Sequence, residues 1–178
     1  LYCPLTIRKG ATVKIKVRRA KVSDIRQLQE KLFKFYEIQI GKGCKDINKD
    51  PDVLWGGIAI EVGNGFSNPN WYCVLAEKDG EVIAFLIGIL EFCSPIAENL
   101  KCIRVAASFL DEDSFAGPKV LTKMWEMLHN WAKDMGAGHF YANVHPGNQP
   151  SIRTVKKMGF NHHYTQFYRP VIMDEVEA

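Results

Sequence analysis

Three side chains able to carry a proton stand where strand-like runs end. Glu91 closes the apolar run "VIAFLIGIL", Asp111 follows "CIRVAASFL", and His145 ends "HFYANVH" beside Pro146-Gly147. In open sheets flanked by helices, ligands collect at the carboxyl ends of strands. A carboxylate or imidazole in that position is a candidate general base. The apolar run before Glu91 predicts partial burial and a raised pKa. Each residue also has a plain reading: a solvated strand-end charge for Glu91 and Asp111, a turn residue for His145. A fourth feature is "SFAGPKVLTKMWEMLHNWAKDMG", a short loop, one glycine, a proline and a long amphipathic helix. A helix N-terminus of this kind is a natural seat for a phosphate. Such cradles usually carry several glycines, and this one has Gly117 alone, preceded by the acidic run Asp111, Glu112 and Asp113.

The elements that would position these groups follow from periodicity. Residues 13–21, "VKIKVRRAK", alternate apolar and basic and predict a half-buried strand. Ser23 or Asp24 can cap a helix carrying Ile25, Leu28, Leu32, Phe35 and Tyr36 on one face. A turn-rich break over 41–52 leads to a short, weak helix over 53–65. Asp79-Gly80 sits between two β-rich runs and predicts a tight hairpin. Residues 102–110 form a fourth strand. In the helix 118–135, Pro118 suits the first position and Gly136 the C-terminal cap. Val120, Met124, Trp125, Leu128, Trp131 and Ala132 make its core face. A strand over 139–145, a short basic helix over 150–159 and a last strand over 160–172 complete the chain. The order β-α-α-β-β-β-α-β-α-β indicates an α/β fold with helices on both faces of a mixed sheet. The step from 102–110 through 118–135 to 139–145 is a βαβ crossover, expected to be right-handed. Residues 109–117 then lie on the expected site.

Composition bounds the rest. The 178 residues, 47% apolar and 24% charged, suit one soluble domain, residues 1–178, with tails at 1–13 and 172–178. The net charge of +3 hides an asymmetry: residues 1–49 hold thirteen Lys/Arg against four Asp/Glu. That basic third could face nucleic acid or another anion, although a solvated helix face and a basic edge strand account for it more simply. Cys3, Cys44, Cys73, Cys93 and Cys102 make an odd count without a CxxC spacing, which favours reduced thiols in an intracellular protein. The five histidines make no zinc spacing with them, and no metal is expected. No apolar run approaches the ~20 residues of a membrane span, and the first ten residues lack a signal peptide's order. The expected place is the cytoplasm.

The stretch "NVHPGNQPSIRTVKKMGF" adds a family. A strand end, Asn148, a basic helix, then Gly159-Phe160 leading to a last strand resemble the GNAT superfamily of N-acyltransferases, and "NWAKDMG" resembles that family's usual helix ending. The resemblance runs from about Lys14 to Val171. It implies a mixed, mostly antiparallel central sheet of six to seven strands with helices on both faces. It implies acetyl-CoA as cosubstrate, held by Phe109, Leu110, Phe115, Ala116, Gly117, Lys119, Val120, Asn148 and Lys156. It also implies direct transfer of an acetyl or other acyl group to a primary amine, for which the strand-end positions of Glu91, Asp111 and His145 offer three candidate bases. Two departures stand out. The family's phosphate loop reads Arg/Gln-x-x-Gly-x-Gly/Ala, and those three positions fall on Ala116, Lys119 and Leu121. A glycine there would let the backbone approach a phosphate without a Cβ. Lys119 could instead supply a cation. Second, the tyrosine that protonates the leaving thiolate in many members is replaced by Val155. Tyr164 and Tyr168 could in principle reach the site, although tyrosines on a sheet more often pack.

Backbone N–H groups where the fourth and fifth strands splay would polarise the thioester carbonyl in this family, which needs no side chain. The acceptor would meet the first helices and the loop 41–52, with Phe33, Tyr36 and Trp55 as walls; a small-molecule or peptide amine is expected. Two alternatives compete. One is a GNAT-fold module without catalysis, motivated by Ala116, Lys119, Leu121 and Val155. The other is a nucleic-acid-associated protein using Lys14, Lys16, Arg18, Arg19 and Lys21. A monomer or a homodimer fits either.

Overall fold

The structure, a computed structural model, describes residues 14–92, 101–111 and 118–162. Five strands, β1 (Ile15–Arg19), β2 (Trp71–Lys78), β3 (Glu81–Phe92), β4 (Lys101–Leu110) and β5 (His139–Ala142), form one sheet in the order β1-β2-β3-β4-β5. The first four are mutually antiparallel; β5 joins β4 in parallel. Among the described residues four α-helices interleave, α1 (Ile25–Gly41), α2 (Pro51–Ser67), α3 (Pro118–Asp134) and α4 (Gln149–Lys157), with a short 3-10 turn, Val22–Asp24, leading into α1. The described sheet therefore has five strands, not six to seven. The expected last strand lies largely outside the described residues, as do both expected tails.

Strand alternation sorts the core into two layers. One face of the sheet, with Cys73, Leu75, Phe85, Ile87 and Phe109, packs on Leu28 and Leu32 of α1 and Ile58 and Val62 of α2. The other face, with Val74, Ala76, Leu86, Leu90 and Ile103, packs on Met124, Leu128 and Ala132 of α3. Full burial of each such side chain is worth about 1.5–3 kcal/mol. Helices thus cover both faces, as the α/β reading required. Gly88 lets α3 sit close, since a Cβ there would come within 2.6 Å of the Leu128 side chain.

Local signals account for most boundaries. Asp79 (φ 53°) and Gly80 (φ 87°) give the tight turn between β2 and β3. Asp50 caps α2, accepting from the N–H groups of Asp52 at 2.9 Å and Val53 at 3.4 Å. With Pro51 in its first turn, α2 runs to 17 residues rather than the short helix expected. Gly136 (φ 70°) ends α3, its N–H donating to the Lys133 carbonyl at 2.9 Å. Asp24 stands before α1, but its carboxylate turns back to the Lys21 N–H at 2.7 Å and to Arg18 at 2.6 Å instead of capping the helix.

Two strand irregularities matter for the site. Between β3 and β4 the register shifts so that Ile87 faces Ala107 and Gly88 faces Val105, leaving Ala106 as the extra residue of a bulge. Between β4 and β5 the ladder covers only Cys102–Val105 against His139–Ala142. β4 then continues to Leu110 with no β5 neighbour, so the two strands part directly beside the bulge.

Candidate active site

Immediately before that parting, three side chains from three adjacent strands join. Arg104 of β4 donates through Nε to Glu91 Oε1 of β3 at 2.6 Å. The Tyr141 hydroxyl of β5 donates to Glu91 Oε2. Register makes this meeting: Glu91 faces Cys102, and Arg104 faces Tyr141. All three lie on the α1–α2 side of the sheet, because their strand neighbours Leu90, Ile103 and Phe140 belong to the α3 layer. Glu91 and Arg104 keep about a third of their side-chain surface exposed. Burial pushes the Glu91 carboxyl up, but the Tyr141 hydrogen bond and the Arg104 guanidinium outweigh it and hold the carboxyl below the usual range. The raised pKa expected for Glu91 is thus overturned by two partners on neighbouring strands. A carboxyl held low is ionised throughout the neutral range and stands ready to accept a proton.

Asp111 is placed differently. It follows β4 at the far end of the strand from Glu91, about 30 Å away at the rise of a β-strand. It is buried, its backbone N–H donates to the Ile83 carbonyl at 2.9 Å, and its carboxylate meets Lys31 at 3.2 Å and Lys34 at 3.3 Å, both from α1. Burial raises its pKa, and the two lysines more than compensate. His145 sits three residues past β5, half-buried, with Nδ1 accepting from the Gly147 N–H at 3.1 Å. The three candidate bases are therefore not brought together: Glu91 is the one built into a cluster at the strand parting.

The expected cofactor residues divide similarly. Phe109 points into the core and stacks on Phe85 with centroids 5.7 Å apart, while Leu110 is exposed. Lys119 is exposed in the first turn of α3, a turn without acidic residues, and Val120 packs against the α3 layer. Phe115, Ala116 and Gly117 lie outside the described residues, as do Tyr164 and Tyr168. Asn148 is buried and caps α4, its Oδ1 accepting from the Ser151 N–H at 3.3 Å and from Lys42 Nζ at 3.3 Å, its Nδ2 donating to Gln39 at 3.3 Å. It ties the start of α4 to the end of α1. Gly147 allows that approach, since a Cβ there would stand 2.9 Å from the Lys42 carbonyl. Lys156 is exposed in the last turn of α4.

A cleft of about 370 Å³ opens between α1, the loop after it and α2, lined by Tyr36, Asp46, Ile47, Asn48, Val53, Leu54, Gly57, Ile58 and Glu61. Of the expected walls, Tyr36 lines it. Phe33 and Trp55 instead pack edge-on against each other at 5.5 Å. The Tyr36 hydroxyl donates to Glu61 at 3.0 Å, and burial, with the Glu61 charge, raises its pKa. A wider cleft of about 500 Å³ lies on α3, in the opposite layer from Glu91, and is lined by Thr122, Trp125, Glu126, His129 and Asn130.

Sequence reasoning missed Arg104, Tyr141 and Glu61. A signal existed for Arg104, a lone cation inside the apolar run "CIRVAASFL". The basic strand β1 offers less free charge than its sequence implied. Arg18 is ion-paired to Asp24 at 2.6 Å and to Glu77 at 2.6 Å, and Arg19 covers the Tyr72 ring at 4.9 Å. Cys44 and Cys73 are free, as expected, but Cys102 is disulfide-bonded, which corrects the expectation of reduced thiols there. Among the described residues no cluster of three or more His, Cys, Asp or Glu could hold a metal ion, and no helix is long and apolar enough to cross a membrane.

No curated protein matches the chain. Solved structures share its fold. An aminoglycoside N-acetyltransferase, AAC(6')-Iy, in complex with CoA superposes with a TM-score of 0.72 at 12% identity, covering 90% of this chain and 97% of that one. An aminoglycoside 6'-N-acetyltransferase from Acinetobacter haemolyticus gives 0.70 at 16% identity, covering 89% and 99%. A predicted acetyltransferase with acetyl-CoA, from Clostridium acetobutylicum, gives 0.69 at 18% identity, covering 88% and 96%. The sequence itself matches the acetyltransferase (GNAT) domain over residues 17–161, most of its length, so the chain belongs to the GNAT acetyltransferase family.

Proposed function

We propose that the protein transfers an acetyl or related acyl group from acyl-CoA to a primary amine by direct attack. The observation that carries this reading is the parting of β4 from β5 beside the Ala106 bulge, next to the Glu91–Arg104–Tyr141 cluster. Past Val105, the β5-facing edge of β4 offers backbone groups that a pantetheine chain or a thioester carbonyl can meet. An N–H aimed at the carbonyl oxygen stabilises the charge that develops on attack. The first-turn N–H groups of α3, which have no partner within the helix itself, suit the diphosphate, with Lys119 beside them. This requires no glycine at Lys119 or Leu121, only that the chain before Pro118 leave the helix end open.

Glu91 is our candidate for the base. It takes the amine's proton, directly or through one water, while Arg104 keeps it ionised and oriented. Asp111 and His145 act on the frame: Asp111 fixes α1 to the end of β4, and His145 shapes the turn before α4. The acceptor enters over the α1–α2 cleft, whose Asp46 and Glu61 suit a cationic molecule and whose apolar walls suit its carbon skeleton. The comparison structures that act on aminoglycosides are consistent with a small-molecule amine.

Titration calorimetry with acetyl-CoA tests the reading first, followed by an amine screen that monitors free thiol. Saturable binding together with turnover of at least one amine supports it. Absence of binding at millimolar acetyl-CoA would instead favour a GNAT-fold protein that has lost the chemistry.

A further inference from the structure

We infer that Tyr141 is the acid of the transfer and that Glu91 resupplies its proton, so that one hydrogen-bonded pair carries a proton from the amine to the departing thiolate. This rests on the acyl-transfer reading. The chemistry demands such a pair. The amine nitrogen forms a bond to the thioester carbon, the carbon–sulfur bond breaks, and its electron pair leaves with sulfur. The nitrogen must lose one proton and the sulfur must gain one. Val155 is a hydrocarbon and can donate none.

Tyr141 stands where the donor is needed. It is the last residue but one of β5, just before the strands part, and its ring lies on the α1–α2 face. Of the described tyrosines, Tyr36 belongs to α1 and hydrogen-bonds Glu61 in the cleft between the helices, Tyr72 stacks on Trp131 at 5.0 Å in the opposite layer, and Tyr141 is the one carried by a strand of the parting pair. Tyr141 directs its hydroxyl to Glu91 Oε2, while Arg104 holds Oε1 at 2.6 Å. The carboxylate is thus the acceptor and the phenol carries the hydrogen before reaction. As the thiolate leaves it takes the Tyr141 proton. Glu91, protonated by the amine, returns that proton to the phenolate through their existing hydrogen bond. The amide and the free thiol leave, and both residues regain their starting states with no other acid or base consumed.

Three variants test this in the full chain: Tyr141→Phe, Glu91→Gln and the double. Each single change should lower kcat with the best amine by about 100-fold, the usual range for one acid or base. KM for acetyl-CoA should move little. The double variant should lose no more than the worse single, because the two act as one unit. Calorimetry supplies a readout independent of turnover. Wild type should bind CoA more tightly than desulfo-CoA, and Tyr141→Phe should lose that preference. Full kcat in Tyr141→Phe, multiplying losses in the double variant, or an unchanged preference for CoA would each overturn the relay. If Tyr141→Phe fails to fold, a Glu91→Gln variant with undiminished kcat would overturn it as well. If wild type neither binds CoA nor turns over, it is the acyl-transfer reading that fails.

Discussion

Two carboxylates end neighbouring runs of the same sheet, and the fold uses them in opposite ways. Asp111 is clamped between Lys31 and Lys34, cations brought from a helix on another layer. Glu91 is held by Arg104 and Tyr141, side chains of the next two strands on one side of its own, β4 and β5. The first arrangement joins elements that would otherwise separate. The second joins groups that the sheet already holds in register, so its hydrogen bonds add little to cohesion, and about a third of the Glu91 side chain stays exposed. Position at a strand end is common to both and decides nothing. What distinguishes them is where their partners come from.

The sharpest way to break this contrast is to neutralise each carboxyl. Glu91→Gln should cut kcat about 100-fold while its urea midpoint stays close to wild type. Asp111→Asn should do the reverse. Its loss leaves Lys31, which is only 14% exposed, with Glu81 alone, at a cost of about 2 kcal/mol. Turnover at saturating substrate should remain within a factor of a few once folded protein is compared. If Asp111→Asn were instead folded and inactive, the far strand end would be the reaction centre.

Acid should separate the two regions next, with a smaller effect. Both carboxyls titrate below their unfolded values, near 4. Their stabilisation is therefore complete above about pH 5 and is lost as pH falls through the folded values. The stability gap between wild type and Asp111→Asn should be constant at neutral pH and should close from about pH 4 downward. Glu91→Gln should show the same trend at lower amplitude, because its side chain is more exposed. Urea titrations across that range give both curves. A gap that widened in acid would contradict the lowered pKa of Asp111.

Much of the frame was legible in the sequence because local chemistry specified it. Asp79-Gly80, Pro118, Gly136 and the 3.6-residue pattern of α3 each settled an element from its own neighbours. The parallel step from β4 to β5 followed from the intervening helix. Glu91 and Asp111 were visible as carboxylates at strand ends, whereas β5 stops at Ala142 and leaves His145 in the turn beyond it; the surroundings of all three were not visible. The lowered pKa of Glu91 depends on Arg104 and Tyr141, 13 and 50 residues away, and no spacing rule links residues across antiparallel and parallel neighbours. Asn148 was read through a family resemblance as a cofactor contact, although an Asn three residues before a free helical N–H is also an N-cap. The length of α2 was underestimated because Gly56, Gly57, Gly63 and Gly65 argue against a helix. Tertiary packing reversed that at Gly65, where a Cβ would meet the Trp71 ring at 2.7 Å, so the absent side chain is what lets α2 lie against β2.

The two lysines at Asp111 refine the contrast further, with the smallest expected effect. Lys31 is 14% exposed and shared between Glu81 and Asp111, whereas Lys34 is 48% exposed and also lies 5.8 Å above the Phe109 ring. Burial lowers the pKa of Lys31, yet its two carboxylate partners raise it further, so it stays charged inside the contact. Removing it strands Asp111 in a buried position with one exposed partner. Removing Lys34 breaks a solvent-facing pair worth at most ~0.5 kcal/mol plus a weak ring contact. Lys31→Met should therefore shift the urea midpoint several times more than Lys34→Met. Equal shifts would mean that the two cations share the clamp equally. The tie between α1 and β4 would then be an exposed surface network, weakening with added salt, rather than one buried pair with an outrider.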